Sequence, residues 1–148
     1  MVGSNPEITQ LIPHRPPFLW VDKIITADSR SIETEKHIPT DLDIFAGHYP
    51  DHPIMPGVLL CEAVFQSGAL LISRATSTSL QEQSVGIPVL TRIREAKFKR
   101  VVRPGDTIRM KVTVDEIIGD VWFMKGRVLL DEKMAVKVEF GCMLQRND

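Results

Sequence analysis

Gly47-His48-Tyr49-Pro50-Asp51-His52-Pro53-Ile54-Met55-Pro56-Gly57-Val58-Leu59-Leu60-Cys61-Glu62-Ala63-Val64-Phe65-Gln66 decides how this chain reads. A stiff loop runs directly into an almost wholly apolar helix. Pro39, Pro50, Pro53 and Pro56 fix φ repeatedly and make residues 39–56 a rigid loop. From Gly57 to about Ser77 no proline occurs, and apolar residues surround the helical axis. A helix that is apolar all round is buried on all sides.

The flanks say what buries it. Residues 7–12 read as a short leading helix ended by Pro13. Residues 18–27 and 31–38 read as strands joined by an Asp28-Ser29 turn. Residues 76–84 are polar and read as a loop, and 86–100 as a strand with a bulge near 94–96. Ile108, Met110, Val112 and Val114 then alternate with Arg109, Lys111, Thr113 and Asp115. Met134, Val136, Val138, Phe140, Cys142 and Leu144 repeat that period of two, the mark of half-buried antiparallel strands. Gly119-Asp120 and Asp131-Glu132 are the expected hairpin turns. The expectation is an α+β fold: a long buried central helix wrapped by a curved antiparallel sheet of about six strands. Residues 1–148 fit a single domain. The sheet would keep open edges, and pairing them across a two-fold axis is one remedy.

The 148 residues are 43% hydrophobic and 25% charged, with net charge −1. Such a balance gives no global attraction to nucleic acid or membrane. The apolar run 58–72, interrupted by Glu62, Gln66 and Ser67, falls short of the roughly 18–20 residues of a membrane span. No basic-then-apolar leader opens the chain, so a cytoplasmic protein is expected. Cys61 and Cys142 form no C-x-x-C pair and read as reduced core residues.

Three residue types in the opening stretch bear chemistry. His48 is held in stiff backbone, and an imidazole titrating ordinarily near about 6.5 suits a base at neutral pH. Its alternative is a hydrogen-bonded loop residue. Glu62 is a carboxylate in an apolar helix, expensive without a partner or a task. It reads as a general acid or as a helix-face residue bonded to Gln66 at i+4. Gly57 begins the helix after Pro56. Its N–H can approach a bound oxygen with the helix dipole behind it, or the glycine relieves crowding where helix meets strand. Gln66 reads as an orienting amide. His48 and His52 lack helical spacing, because Pro50 and Pro53 intervene, and no Cys or acidic cluster completes a metal site. His14 and His37 read as surface or hydrogen-bonding residues. No nucleophile elbow or phosphate-cradling glycine loop occurs.

Arg92, Arg94, Lys97, Lys99, Arg100 and Arg103 cluster with Glu95 as their one opposing charge. The segment is either a solvated strand edge guarded against aggregation or a docking site for an acidic partner. Phe98 is its one stacking aromatic, which argues against nucleic acid.

Gly-His-Tyr-Pro at 47–50, Pro-Ile-Met-Pro-Gly-Val-Leu at 53–59 and Glu-Ala-x-x-Gln at 62–66 resemble the 3-hydroxyacyl-acyl carrier protein dehydratases of fatty acid synthesis. The likeness extends through His14-Arg15, Pro17-Phe18-Leu19-x-Val21-Asp22, Ala96-Lys97-Phe98-Lys99-Arg100 and Val102-x-Pro104-Gly105-Asp106. It covers roughly residues 14 to 143, most specifically at the centre. The resemblance implies a hot-dog fold and a homodimer with shared active sites, and allows a trimer of dimers. It implies that His48 removes the C2 proton of a (3R)-hydroxyacyl thioester and that Glu62 of the partner subunit assists loss of the 3-hydroxyl as water. The Gly57 N–H would bind the thioester carbonyl, and Gln66 and Phe65 would line the substrate site. No metal or other cofactor is implied. The basic segment would meet the acidic carrier protein.

Glu62 stands where the dehydratase/isomerase sister family has Asp, which favours the simple dehydratase. Phe65 is bulky where the simple dehydratases usually have Ala, and Pro16 stands where Tyr is common. Asp131-Glu132-Lys133 replaces a usual Asp-Gly-Lys turn. The rival readings are a hydratase, thioesterase or dehydratase/isomerase on the same scaffold, and a non-catalytic acyl-thioester-binding subunit.

Overall fold

In the computed structural model, which describes residues 5–76 and 87–145, alternating segments pair as a six-stranded antiparallel sheet. The strands are β1 (Lys23–Ala27), β2 (Ser31–His37), β3 (Ile87–Phe98), β4 (Thr107–Ile118), β5 (Val121–Leu130) and β6 (Lys133–Gln145), in the order β1-β2-β4-β5-β6-β3. Two α-helices, α1 (Pro6–Thr9) and α2 (Gly57–Ala75), complete the regular structure of the described residues.

The period of two gives the sheet one dry face. Ile32, Val112, Gly126, Val138 and Ala96 lie opposite one another in register across five strands, buried on β2, β4, β5 and β6 and exposed at Ala96 on the β3 edge. One residue away, Glu33, Lys111, Arg127, Lys137 and Lys97 form the matching row on the other face. Gly119-Asp120 joins Ile118 to Val121, and Asp131-Glu132 joins Leu130 to Lys133, as expected. Asp131 (φ 51°) and Glu132 (φ 64°) are both left-handed, the conformation that matches a two-residue loop to twisted strands.

α2 packs on the dry face. Thirteen of its nineteen residues are buried. Burying each Leu, Val, Ile or Phe side chain contributes about 1.5–3 kcal/mol. The approach is close: a Cβ on Gly126 would stand 2.2 Å from Val64 Cγ1, and one on Gly68 would stand 3.0 Å from the Phe140 ring. Thr34 of β2 and Ser67 of α2 share a buried hydroxyl bond of 2.8 Å. Ser67 itself donates to the Ala63 carbonyl, so Thr34 is the donor of the pair.

Several expectations need correction. α2 is not covered on every side, because the sheet reaches its first turn on one side only. Val58 is 73% exposed, and Leu59 and Glu62 are half-buried. α2 is also long and apolar enough to cross a membrane by length and composition, contrary to the reading of a shorter run; its burial in the sheet makes it core. Residues 18–22 precede β1 instead of belonging to it, because the Trp20 N–H bonds to the Gln66 side chain and not to a strand. The leading helix is the shorter Pro6–Thr9, capped by Asn5. A 3-10 turn, Asp43–Ala46, interrupts the proline-rich loop. The register of β3 shifts between Ile93 and Glu95, at the expected place, and a second time between Leu90 and Arg92. Residues 77–86, most of the expected 76–84 loop, lie outside the described residues.

Gly126→Ala should therefore drive a methyl group into Val64. Urea denaturation is expected to show a loss of about 1–3 kcal/mol, the usual cost of overpacking. Val64→Ala in the same chain should return part of that loss. Two independent, additive losses would mean that helix and sheet do not meet there.

Candidate active site

The loop before α2 is tied from within and from outside. The His48 N–H donates to Ile44 O at 2.9 Å, and the Ile54 N–H donates to His48 O at 3.1 Å. The Met55 N–H reaches Val102 O at 2.7 Å, anchoring the loop to the segment after β3. These bonds hold the half-buried His48 ring, which stacks on Tyr49 with centroids 4.3 Å apart. His48 Nδ1 lies 2.9 Å from Ile54 O. A carbonyl only accepts, so Nδ1 carries a proton, and in the neutral ring Nε2 is then the free acceptor. That is the tautomer a base requires.

Glu62 lies one and a half turns into α2. The Gln66 amide donates to Glu62 Oε2 at 3.0 Å and to Phe18 O at 2.9 Å. Gln66 Oε1 accepts from the Trp20 N–H at 2.7 Å. One buried amide thus holds the carboxylate and docks the segment before β1. It is a neutral partner, which orients the carboxylate without supplying a compensating charge. Burial pushes the Glu62 carboxyl above the ordinary range, partly offset by the Gln66 bond. His14 Nε2 stands 3.8 Å from Glu62 Oε2. Burial, then the Arg15 charge, pushes His14 down. Burial, aided by the Glu62 charge, lifts the Cys142 thiol to about 12, so that sulfur is an inert core group.

Gly57 is the first residue of α2, and its N–H has no bond among the described residues. Phe98 of β3 explains why glycine stands there: a Cβ would lie 2.7 Å from Phe98 Cε1. The close approach and the free N–H coexist, so both readings of Gly57 have a physical basis. Phe65 is buried against Phe140, ring centroids 4.9 Å apart.

Glu62 and His48 make no hydrogen bond or ion pair with one another. The structure gathers Glu62, Gln66 and His14 in one cluster, and His48 with its loop in another. The place of His14 was missed, since only the fold brings position 14 to position 62; its membership of the motif flank was the available signal. His37, read as hydrogen-bonding, meets Thr107 Oγ1 at 3.0 Å. The basic residues 92–103 are exposed but strung out. Arg92 and Lys97 are five residues apart on β3, about 17 Å at a strand's rise. Lys97 pairs with Glu95 at 3.2 Å, and the Lys99 and Arg100 N–H groups bond to Ala135 O. The Arg103 N–H bonds to Asp106. Lys97, Lys99 and Arg100 are sequence neighbours of Phe98, whose ring lies over Gly57, whereas Arg92 and Arg94 sit farther along the strand.

Residues 12–139 match the FabA-like domain. The chain is 37% identical over 140 residues to the 3-hydroxyacyl-[acyl-carrier-protein] dehydratase FabZ of Rickettsia bellii, covering 94% of each chain. It is 35% identical over 145 residues to the FabZ of Campylobacter hominis, covering 97% of this chain and 98% of that one. In fold it is similar to the dehydratase heterocomplex ApeI:P of Xenorhabdus doucetiae, with TM-score 0.78 and 10% identity over 95% of this chain and 91% of that one. It is also similar to the E. coli PaaI protein, with TM-score 0.64 and 13% identity over 82% and 81%. At these identities the structures speak for a shared hot-dog fold.

The raised Glu62 carboxyl sets a pH dependence. The folded chain keeps a proton there that the unfolded chain has released. Charge on Glu62 therefore costs nothing below the ordinary carboxylate range, and the cost grows as pH rises through the ordinary and then the raised pKa. Glu62→Gln should raise the melting temperature at neutral pH, and the gain should vanish toward about pH 4, where both side chains are neutral. A gain of constant size down to that pH would assign it to packing.

Proposed function

This chain belongs to the FabA-like family, among the FabZ-type 3-hydroxyacyl-[acyl-carrier-protein] dehydratases, and we propose that it converts carrier-bound (3R)-3-hydroxyacyl chains to trans-2-enoyl chains in fatty acid biosynthesis. It is an enzyme, a hydro-lyase. In our reading residues 1–148 act as one dehydratase domain in the cytoplasm.

The observation that carries the mechanism is the pairing of complementary protonation states. In the neutral His48 ring the Ile54 carbonyl claims the Nδ1 proton and leaves Nε2 as the acceptor, and burial biases Glu62 toward its acid form. Nε2 takes the C2 proton, and the electron pair moves into the thioester as an enolate. The Gly57 N–H, at the positive end of α2, stabilises that oxygen; one such donor is worth about 3–4 kcal/mol. The enolate re-forms the carbonyl and a C2–C3 double bond as the 3-hydroxyl departs. Glu62 donates the proton that makes it water. One proton is taken and one given, so these groups need no metal or other cofactor. Gln66 keeps the carboxyl aimed, and Phe65 limits space behind it.

His48 and Glu62 work together across a two-fold axis in this scheme. Three features favour a homodimer. The two groups are unconnected within one chain. β3 is an edge strand with Ile93 52% and Phe98 55% exposed, and Val58 on the first turn of α2 is 73% exposed. A second copy set against β3 would cover these apolar groups, satisfy the open edge and bring Glu62 of the partner subunit to His48. Lys97, Lys99, Arg100 and Arg103, with Arg92 and Arg94 farther off, draw in the acidic carrier protein.

His48→Ala and Glu62→Ala should each lower turnover of hydroxyacyl carrier protein at least about 10²-fold, with unchanged circular dichroism. Near-normal dehydration by either variant would sink the mechanism. Mixed after subunit exchange, the two variants should recover activity. Half the dimers would be mixed, each with one intact site of two, giving about a quarter of wild-type turnover. An inactive mixture with proven exchange would place each site within a single chain.

A further inference from the structure

Among the described residues, both polar contacts of the Glu62 carboxylate fall on one oxygen. Gln66 Nε2 donates to Oε2 at 3.0 Å, and His14 Nε2 stands 3.8 Å from the same atom. An oxygen that already accepts from an amide N–H is the acceptor of the carboxyl, so the acid proton sits on Oε1. The dehydration scheme uses that proton and leaves His14 idle. The ring nevertheless lies in a segment tied down on α2. Ser73 Oγ donates to Leu11 O at 2.9 Å, and Gln66 Nε2 donates to Phe18 O at 2.9 Å. The Arg15 guanidinium closes the turn on the Thr9, Ile12 and His14 carbonyls. His14 Nδ1 is buried without a partner among the described residues. An orphaned buried N–H is rarer in proteins than an under-used acceptor, so the neutral ring keeps its hydrogen on Nε2, the atom that faces Glu62. Burial, then the Arg15 charge, holds the ring neutral. The other ionisable group registered at Glu62 is Cys142 of β6, whose thiol, pushed up to about 12, stays protonated.

We propose that His14 is a positioning residue for the acid, and that its Nε2–H closes on Glu62 Oε2 as Glu62 gives up its proton. This rests on the mechanism proposed above. In that step the Oε1–H bond breaks and its electron pair stays on the carboxylate. The proton goes to the departing 3-hydroxyl, which leaves as water. The new charge spreads to Oε2, where one N–H is already bonded and a second stands within a small rotation of the ring. Against the neutral acid the second contact is too long to count as a hydrogen bond. Against the carboxylate it becomes charge-assisted, about twice as strong as a neutral bond. An interaction that strengthens only as the reaction proceeds lowers the barrier without tightening substrate binding. A lysine or arginine at position 14 would discharge the acid before substrate arrived. A neutral imidazole waits until the charge appears. His14 touches no substrate atom in this scheme and acts through Glu62.

The test compares three substitutions in the full-length chain. His14→Phe keeps a ring and removes the donor. His14→Asn carries an amide that reaches only as far as Nδ1, and His14→Gln one whose nitrogen reaches the place of Nε2. With hydroxyacyl carrier protein, His14→Phe and His14→Asn should lose about 10-fold in kcat with KM nearly unchanged, and His14→Gln should recover most of it. Loss of the donor raises the Glu62 carboxyl further. The limb of the kcat profile that falls at high pH, where Glu62 ionises, should therefore move upward in His14→Asn. In a Glu62→Gln background, His14→Phe should cost nothing more. A 3-fluoroacyl thioester, whose fluoride departs without a proton, should be spared most of the loss. A change in KM alone, an additive loss in the Glu62→Gln background, or His14→Asn equal to His14→Gln would overturn the role. Carbon-13 NMR of the Glu62 carboxyl reads the same contact without turnover, and its midpoint should lie higher in His14→Asn than in His14→Gln. Should the wild type turn over no hydroxyacyl thioester, the dehydratase reading falls. The titration then decides the contact alone: a higher midpoint in His14→Asn sustains it, and equal midpoints reject it.

Discussion

The contact between α2 and the dry face of the sheet governs the rest of the molecule. It is a close contact, since Gly126 gives way to Val64 and Gly68 to Phe140. Dispersion and burial both reward that approach, and interiors packed to this density transmit small displacements. The start of α2 is therefore fixed relative to the sheet to a fraction of a side-chain width. Gly57 under Phe98 and Glu62 above Gln66 inherit that precision. A site built on such a helix spends little entropy in orienting its groups, which is the usual source of catalytic advantage.

The site also shows how one carboxylate is kept in an apolar element. Among the described residues Glu62 has no full cationic partner. A close arginine or lysine would stabilise its charge and take away its value as an acid. A neutral amide and a histidine that burial disfavours as a cation leave the acid form favoured. The proposed base, His48, is oriented by different means, through the carbonyl of Ile54. In the proposed mechanism acid and base are thus set apart by environment and not by residue type alone.

What could be read in the residues was what depends on near neighbours. The proline-rich loop, the apolar helix and both two-residue hairpins follow from φ restriction, periodicity and turn length. The Glu62–Gln66 bond follows from helical spacing. Elsewhere distant partners overrode local preference. The β-branched and aromatic run 18–22 looks like a strand, yet Gln66, 46 residues away from Trp20, takes its N–H. The nearness of His14 to Glu62 is equally non-local. The row of Lys111, Arg127, Lys137 and Lys97 needs the register of four strands, including a crossover that carries β3 beyond β6, and no window of sequence contains it. The basic run along β3 suggested one patch because letters adjacent in sequence are easily taken as adjacent in space.

Gln66 has a consequence beyond orientation. The amide that grips Glu62 also grips the backbone of Trp20, a residue 5% exposed whose Nε1 is buried without a partner among the described residues. An indole in such dry surroundings emits toward the blue, and it is sensitive to the arrival of a single water or a nearby dipole. Displacement of the carboxylate is passed through two hydrogen bonds to a chromophore. Trp20 therefore reports on the position of the Glu62 carboxylate without any label, beside the emission of the likewise buried Trp122.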